Sequence, residues 1–212
     1  KVITTLLQTV HQFAMQEEMR VTIVQKVNQL TGNRVQDWAE VLDNKDVADA
    51  LQQGVHIAAG TSFMWAREEF FEAVDVLFVD EAGQLSLIDT LALSQAGKNL
   101  VLHGDPQQLQ QPQKGSHPEG TEVSALEHIL KGEQTIEPHK GVFLDKTWRV
   151  HPAICSYVSE LFYGRRLETE GDNINQRLEG NTKYVVPGIY VEGVNHSGNS
   201  NSSEEEVEAL QM

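Results

Sequence analysis

Two adjacent carboxylates, Asp80 and Glu81, follow the apolar run VDVLFV at residues 74–79. Such a run predicts a buried strand, and desolvating two acids at its tip is costly unless they have a partner. A divalent cation beside a phosphate would be such a partner. Asp80 would then hold Mg²⁺ directly or through its water shell, while Glu81 would orient and deprotonate the water that attacks a γ-phosphate. The alternative is a surface acid pair that opens the next helix and interacts favourably with its dipole.

A second polar segment, GDPQQL at residues 104–109, follows the next predicted strand. Ligands of open α/β sheets bind at the carboxyl ends of the strands, so this segment is expected beside the acids. Gly104 permits a tight turn that Asp105 and Pro106 shape. The amide of Gln108 can both donate and accept, so it could contact a phosphate without competing with Mg²⁺.

Apolar strands separated by helical stretches predict an α/β fold in which helices flank a parallel sheet. The strands are expected near residues 21–27, 55–59, 75–79, 99–103 and 141–145. Helices are expected near residues 3–18, 67–72, 86–95 and 151–163. Residues 35–53 are predicted to form two short helices, with DNKD at residues 43–46 starting the second and Gly54 ending it.

The charge and the Gly/Asn content rise beyond Gly164. The segment NHSGNSNSSEEEVEAL at residues 195–210 is typical of a flexible linker that enters a helix at an acidic first turn. We therefore expect a main domain over residues 1–165. A C-terminal extension and linker is expected over residues 166–212.

Composition excludes several classes of protein. The 212 residues are 40% hydrophobic, which suits a globular interior, and they contain neither a membrane span nor a signal peptide. We therefore expect a cytoplasmic protein with no membrane partner. The net charge of −15 argues against a chain that coats nucleic acid, because phosphate binding depends on Lys and Arg. A narrow basic strip is still compatible with it.

Three segments together resemble the motifs of superfamily 1 helicases. VDEAGQ at residues 79–84 resembles their Walker B motif II, GDPQQL is similar to motif III, and LDKTWRVHPAI at residues 144–154 is similar to the motif IV region. Their order and spacing also match. The resemblance implies a P-loop NTPase fold of the RecA-like type and an ATP-dependent helicase activity. ATP and Mg²⁺ would be the cofactors.

The resemblance also implies a role for each matching residue. Asp80 would be the Mg²⁺ ligand and Glu81 the catalytic base. Gln108 would contact the γ-phosphate and link its presence to movement along nucleic acid. Arg149 would place a guanidinium on the same phosphate and neutralise transition-state charge. The alternative for Arg149 is a structural ion pair with a nearby acid.

AAGTSFMW at residues 58–65 occupies the place of the family's motif Ib. Thr61 and Ser62 would then donate hydrogen bonds to phosphates of single-stranded nucleic acid, with DNA favoured over RNA as the partner. Trp65 or Phe63 would stack on a base. The alternative is that the aromatic side chains of this segment pack in the core.

The phosphate-binding string G-x-x-x-x-G-K-[ST] does not occur, nor do the family's motifs V and VI. The fold is therefore expected to be incomplete, an interior slice of a larger protein. Its partners would be a second RecA-like domain and a RecB-like nuclease domain in the same parent chain. The isolated residues are predicted to hydrolyse no ATP, since triphosphate affinity comes largely from the missing loop. The alternative is a non-catalytic α/β protein-interaction module derived from an NTPase.

Overall fold

A computed structural model describes residues 2–26, 38–108, 123–180 and 183–211 of the chain. The chain forms two compact units, residues 1–131 and 132–212. Both units combine helices with short parallel strands, so the protein belongs to the mixed α/β class. The predicted division after residue 165 stays a prediction.

The first unit alternates helices and strands. It contains α1 (Val2–Gln16), β1 (Ile23–Lys26), β2 (Ala39–Leu42), α2 (Asn44–Gln52), β3 (Ile57–Ala59), α3 (Ser62–Trp65), a 3-10 helix (Glu68–Phe70), β4 (Val74–Val79), α4 (Leu87–Ser94), β5 (Gly97–Leu102) and α5 (Ala125–Leu130).

All strand pairs described in the first unit are parallel, as the sequence predicts. The strands form two ladders, β2-β1-β3 and β4-β5, and the described backbone contains no hydrogen-bonded ladder joining them. This differs from the single sheet that the sequence predicts. Side chains, not ladder hydrogen bonds, hold the ladders together, because Val24 of β1 lies in the same buried cluster as Leu77 and Val79 of β4.

That cluster is the larger of two apolar cores in the first unit. Its buried members are Val24, Val47, Met64, Trp65, Phe70, Leu77, Val79, Ala82, Leu93 and Ala96. The smaller core, formed by Leu7, Ile23 and Ala39, holds α1 against the β1–β2 pair. The hydrophobic effect of burying these side chains is the main contribution that holds the strands in place, and with them the strand ends described below.

The segment 35–53 is only partly as predicted. Residues 38–42 contain β2 and not the first of two short helices, whereas residues 35–37 lie outside the described part of the chain. Parallel pairing with β1 overrides the local helical pattern. The second helix is confirmed as α2: the Asp43 carboxylate accepts the Asp46 N–H at 3.0 Å, and Gly54 follows the helix with φ +90°.

The helix expected near residues 67–72 is a single 3-10 turn, Glu68–Phe70. Phe70 is fully buried at its end, so packing stops the turn against the larger core. Predicted α4 is confirmed within one residue at each end. Ser86 caps it by accepting the Asp89 N–H at 3.1 Å.

The second unit contains fewer and shorter elements. They are β6 (Lys146–Thr147), α6 (Pro152–Phe162), β7 (Glu168–Thr169), a 3-10 helix (Gly171–Asn175) and α7 (Glu204–Gln211). β6 and β7 pair in parallel. The amphipathic helix predicted over residues 151–163 is confirmed as α6, with Pro152 in its first turn and His151 Nδ1 accepting the Ala153 N–H at 3.1 Å.

The strand predicted over residues 141–145 is wrong, because the ladder begins only at Lys146. Val142 and Leu144 are 84% and 80% exposed, while Phe143 between them turns inward. Phe143 carries the Arg166 guanidinium over its ring at 4.6 Å. The exposure of the side chains therefore alternates as in a strand, but these residues are not part of the paired ladder. Within the described ranges, no helix has the length and apolar character needed to cross a membrane.

Candidate functional site at the carboxyl ends of β4 and β5

Strands β4 and β5 end side by side. Val79 pairs with Leu102 in the parallel register, so the residues that follow both strands emerge at one edge. The ladder continues into the loops, because the His103 N–H donates to Val79 O at 2.8 Å and the Ala82 N–H donates to His103 O at 2.7 Å. The sequence prediction that the two polar segments are neighbours is confirmed.

Two glycines make this close approach sterically feasible. A Cβ on Gly83 would lie 2.1 Å from the carbonyl oxygen of Asp105, and a Cβ on Gly104 would lie 2.8 Å from the amide nitrogens of Ala82 and Gly83. Both clashes would be with backbone atoms, which cannot rotate away. The loop after β4 and the loop after β5 are therefore fitted to each other at the level of the main chain.

The acid pair stands at the tip of β4, and both side chains are exposed. The expectation of desolvated carboxylates is therefore wrong, since only the strand that carries them is buried. Glu81 has φ +55°, a left-handed conformation that is uncommon for residues other than glycine. Such strain is found preferentially at ligand-binding and catalytic positions, which makes Glu81 a candidate for function.

Gln84 links the acid to the second loop. Its Nε2 donates to Glu81 Oε2 and to Gln108 Oε1, both at 3.2 Å. Two of the predicted site residues, Glu81 and Gln108, are thus joined through one amide. Reasoning from the sequence assigned no role to Gln84, although its spacing of three residues from Glu81 after a strand end could have suggested a turn contact.

The loop after β5 has the turn structure predicted for it. The Asp105 carboxylate accepts the Gln107 N–H at 3.0 Å, and the Gln108 N–H donates to Asp105 O at 3.3 Å. These bonds form a compact Asx turn around Pro106 that presents the Gln108 side chain to solvent. Residues 109–122, the rest of the predicted loop, lie outside the described part of the chain.

The oxygen atoms at this edge suit a hard divalent cation. Asp80 and Glu81 supply exposed carboxylates, which are ligands that Mg²⁺ prefers. Within the described ranges, no cluster of three or more His, Cys, Asp or Glu side chains forms a complete protein cage. That donor set fits Mg²⁺ in the manner typical of phosphate-binding sites, where one or two carboxylates hold the ion and the phosphate and water complete its shell.

The segment after β3 separates its aromatic residues. Trp65 and Met64 are 7% and 1% exposed and belong to the larger core, so the stacking role considered for Trp65 is wrong. Phe63 is 84% exposed and stays available for stacking. Thr61 is exposed immediately before α3 and Ser62 is half-buried, so their predicted contacts with phosphates stay predictions.

Arg149 lies in the second unit, directly after Trp148, which follows β6. Its side chain is exposed, and its backbone N–H donates to Thr147 Oγ1 at 3.3 Å. The described residues provide no acid within ion-pair distance of it, so the alternative of a structural ion pair gains no support there. Its predicted contact with a phosphate stays a prediction.

No protein-family model matches the chain, and no curated protein matches it at a significant level.

Proposed function

We propose that this chain is part of an ATP-dependent, helicase-type motor that acts on single-stranded nucleic acid. It would supply the Mg²⁺ ligand and the catalytic base. The observation that carries the proposal is the pair of 3.2 Å hydrogen bonds from Gln84 to Glu81 and Gln108. A catalytic carboxylate and a neutral phosphate-sensing amide on adjacent strand ends are what a γ-phosphate cleaving site needs.

These hydrogen bonds occupy one atom of each side chain and leave other atoms available for the reaction. Gln84 holds Oε2 of Glu81, which leaves Oε1 to accept the proton of an attacking water. Gln108 receives the Gln84 N–H on its Oε1, so its own amide hydrogens are free to donate to a phosphate oxygen. Bound Mg²⁺, held by Asp80, would neutralise charge on the phosphates.

Coupling to nucleic acid would follow from the same linkage. When the phosphate leaves, Gln108 loses an acceptor, and Gln84 transmits the change to the tip of β4. Phe63, Thr61 and Ser62 lie after β3 in the same unit and would contact the strand of nucleic acid. The resemblance alone assigns Arg149 a contact with the γ-phosphate, and that contact stays a prediction.

The chain holds no G-x-x-x-x-G-K-[ST] string, so the phosphate-binding loop of this motor would have to come from sequence outside these 212 residues. The 212 residues alone are then expected to release no phosphate from ATP when nucleic acid is added. Phosphate release by them would contradict this part of the proposal.

The test of the whole proposal is Glu81→Gln in the full-length protein. Binding of Mg²⁺ and ATP should persist, while turnover should fall by about 100-fold or more because the base is lost. Glu68→Gln is the matched control, since Glu68 is an exposed acid of the same unit. Turnover of the Glu81 variant within about tenfold of wild type, worth about 1.4 kcal/mol, would exclude Glu81 as the base.

A second candidate function is a protein-interaction module without catalysis. The outward face of the β4–β5 ladder favours it, because Val76 and Phe78 are 41% and 64% exposed on that face. The two candidates differ in one readout. Phe78→Ser should abolish partner binding if the chain is a module, whereas Glu81→Gln should leave that binding unchanged.

A further inference from the structure

A cavity of about 270 Å³ opens in the first unit on the side away from the carboxyl ends of β1 and β3. Within the described part of the chain, six residues line it: His11, Met19, Arg20, Val21, Thr22 and His56. Thr22 and His56 directly precede the paired residues Ile23 and Ile57, so the cavity lies at the amino ends of these parallel strands. The candidate phosphate contacts Thr61 and Ser62 follow the opposite end of β3.

Two contacts with Thr22 involve the Nδ1 atom of the His56 ring and bear on which ring nitrogen carries the hydrogen. The Thr22 N–H donates to His56 Nδ1 at 3.2 Å, and the Thr22 hydroxyl lies 2.7 Å from the same nitrogen. The Thr22 N–H bond assigns Nδ1 as the acceptor of the ring, and in that tautomer the Thr22 hydroxyl also donates to it. The neutral ring must then hold its hydrogen on Nε2, which makes Nε2 a donor available to a ligand.

Arg20 adds a cation to the same cavity. Its side chain is exposed, and it makes no hydrogen bond or ion pair with the described residues. A guanidinium presents a planar set of donors that matches the oxygens of phosphate. Glu17 and Glu18 lie in the turn before Met19, but neither lines the cavity.

The described residues of the lining include no carboxylate, in a chain whose net charge is −15. These described residues are two imidazoles, one guanidinium, one hydroxyl and two apolar side chains. His11 is held in place because its ring stacks on Trp38, with centroids 5.0 Å apart. The cavity thus holds one guanidinium and several neutral hydrogen-bonding groups on an acidic protein, and a local positive charge of this kind attracts an anion.

From these observations we propose that the cavity binds the phosphate group of a small phosphorylated ligand. The phosphate oxygens would accept hydrogen bonds from the Arg20 guanidinium and the His56 Nε2–H, while Met19 and Val21 cover any organic part. The volume favours a small ligand, since it lies below the roughly 300–1,000 Å³ of sites for drug-sized molecules. The proposal does not depend on the function proposed above.

The test follows the His56 side-chain nitrogens and the Thr22 amide by NMR in the ¹⁵N-labelled 212-residue chain. Inorganic phosphate, a nucleoside 5′-monophosphate and the corresponding nucleoside are titrated separately at constant ionic strength. Both phosphates should shift these signals and the nucleoside should not. Tighter binding of the monophosphate would identify a phosphate ester as the ligand, and equal binding would identify free phosphate.

Two variants separate a site from general charge attraction. Arg20→Gln should weaken phosphate binding at least about tenfold, because a charge-assisted hydrogen bond is lost. Lys45→Gln removes the same charge from an exposed position of the first unit and should leave binding unchanged. Arg20→Lys keeps the charge but lacks the planar set of guanidinium donors, so it should lose part of the affinity for phosphate. This variant replaces Arg20→Gln in the test if Arg20→Gln does not fold.

Three results would overturn the proposal. The first is an absence of phosphate-dependent shifts at His56. The second is an equal loss of affinity in Arg20→Gln and Lys45→Gln. The third is binding of a single-stranded oligonucleotide at these residues without binding of either small phosphate, which would assign the cavity to a polymer instead.

Discussion

The α-carbon of Gly83 faces the carbonyl group of Asp105 so closely that a Cβ at Gly83 would lie 2.1 Å from the oxygen. This contact joins the loops that follow β4 and β5, and Gln84, which bridges Glu81 to Gln108, is the next residue. The spacing of the candidate site is thus fixed by main-chain packing, and any group larger than hydrogen at Gly83 should disturb it.

Gly83→Ala should destabilise the loop contact by about 1–3 kcal/mol, the usual cost of overpacking a well-packed region. The amides of Ala82 and His103 donate hydrogen bonds within the contact, so their hydrogen exchange should accelerate. Gly171→Ala is the control, because a Cβ there meets nothing within 4 Å. Unchanged exchange at Ala82 in the Gly83 variant would show that the loops are not in contact.

Glu81→Gly should raise the stability of the first unit by about 0.5–1 kcal/mol. A left-handed residue with a Cβ costs about 1–2 kcal/mol, and the substitution removes this cost. Part of the stabilisation is lost again because glycine has greater conformational freedom in the unfolded chain. Thermal unfolding monitored by circular dichroism measures the effect. Strain at Glu81 would then be retained for function and not for folding.

The control for this variant is Glu69→Gly, because Glu69 is not among the residues with positive φ. Its ion pair with Arg67 at 2.8 Å would also be lost. This change should lower stability. If both variants are destabilised equally, the backbone of Glu81 is not strained.

On the ATPase function proposed above, Gln84→Ala should lower ATP turnover of the full-length protein by about 10–100-fold, the range found when a residue that orients a ligating or catalytic group is removed. In that proposal Gln84 is a positioning residue, so the loss should appear in kcat with little change in KM for ATP. Gln95→Ala removes an amide that bonds to the carbonyls of Ala66 and Arg67. That control should alter stability but not kcat, and equal kcat losses would contradict the positioning role.

Asp75 and Lys98 form an exposed ion pair between β4 and β5, with 2.8 Å between Oδ1 and Nζ. The hydrogen bond from Lys98, followed by its charge, lowers the pKa of Asp75 below its ordinary value. The contribution to stability is therefore present above the pKa of the unfolded chain, and it is lost as the pH falls through the lower folded pKa. Because the pair is exposed, the effect should also weaken with added salt.

Lys98→Gln should raise the pKa of Asp75 toward its ordinary value, measured by ¹³C NMR titration of the carboxyl carbon. Lys45→Gln should leave the Asp75 titration unchanged, since Lys45 belongs to α2 and lies outside the pair. An unaltered Asp75 pKa in the Lys98 variant would mean that the ion pair does not persist in solution.

Local features of this protein could be predicted from the sequence where one segment carries its own signal. β4 ends at Val79 as the apolar run indicates, and α2 begins after Asp43 because that side chain caps its first turn. The helical prediction is wrong over residues 38–42, since β2 forms there by pairing with β1, a contact that no local pattern encodes. Residues 141–145 alternate like a strand, but the paired register with β7 begins only at Lys146, and of this segment Asp145 O accepts the Glu168 N–H.

The sequence by itself determined which chemical groups follow the strands: two carboxylates after β4 and an amide after β5. Only the tertiary structure decided that the acids are exposed, that Glu81 is held in a left-handed conformation, and that Gln84 connects it to Gln108. The cavity beside Arg20 and His56 also appears only in three dimensions. The physical reason is range: caps and apolar periodicity act over a few residues, whereas the bridge to Gln108 and the cavity join segments more than twenty residues apart that burial brings together.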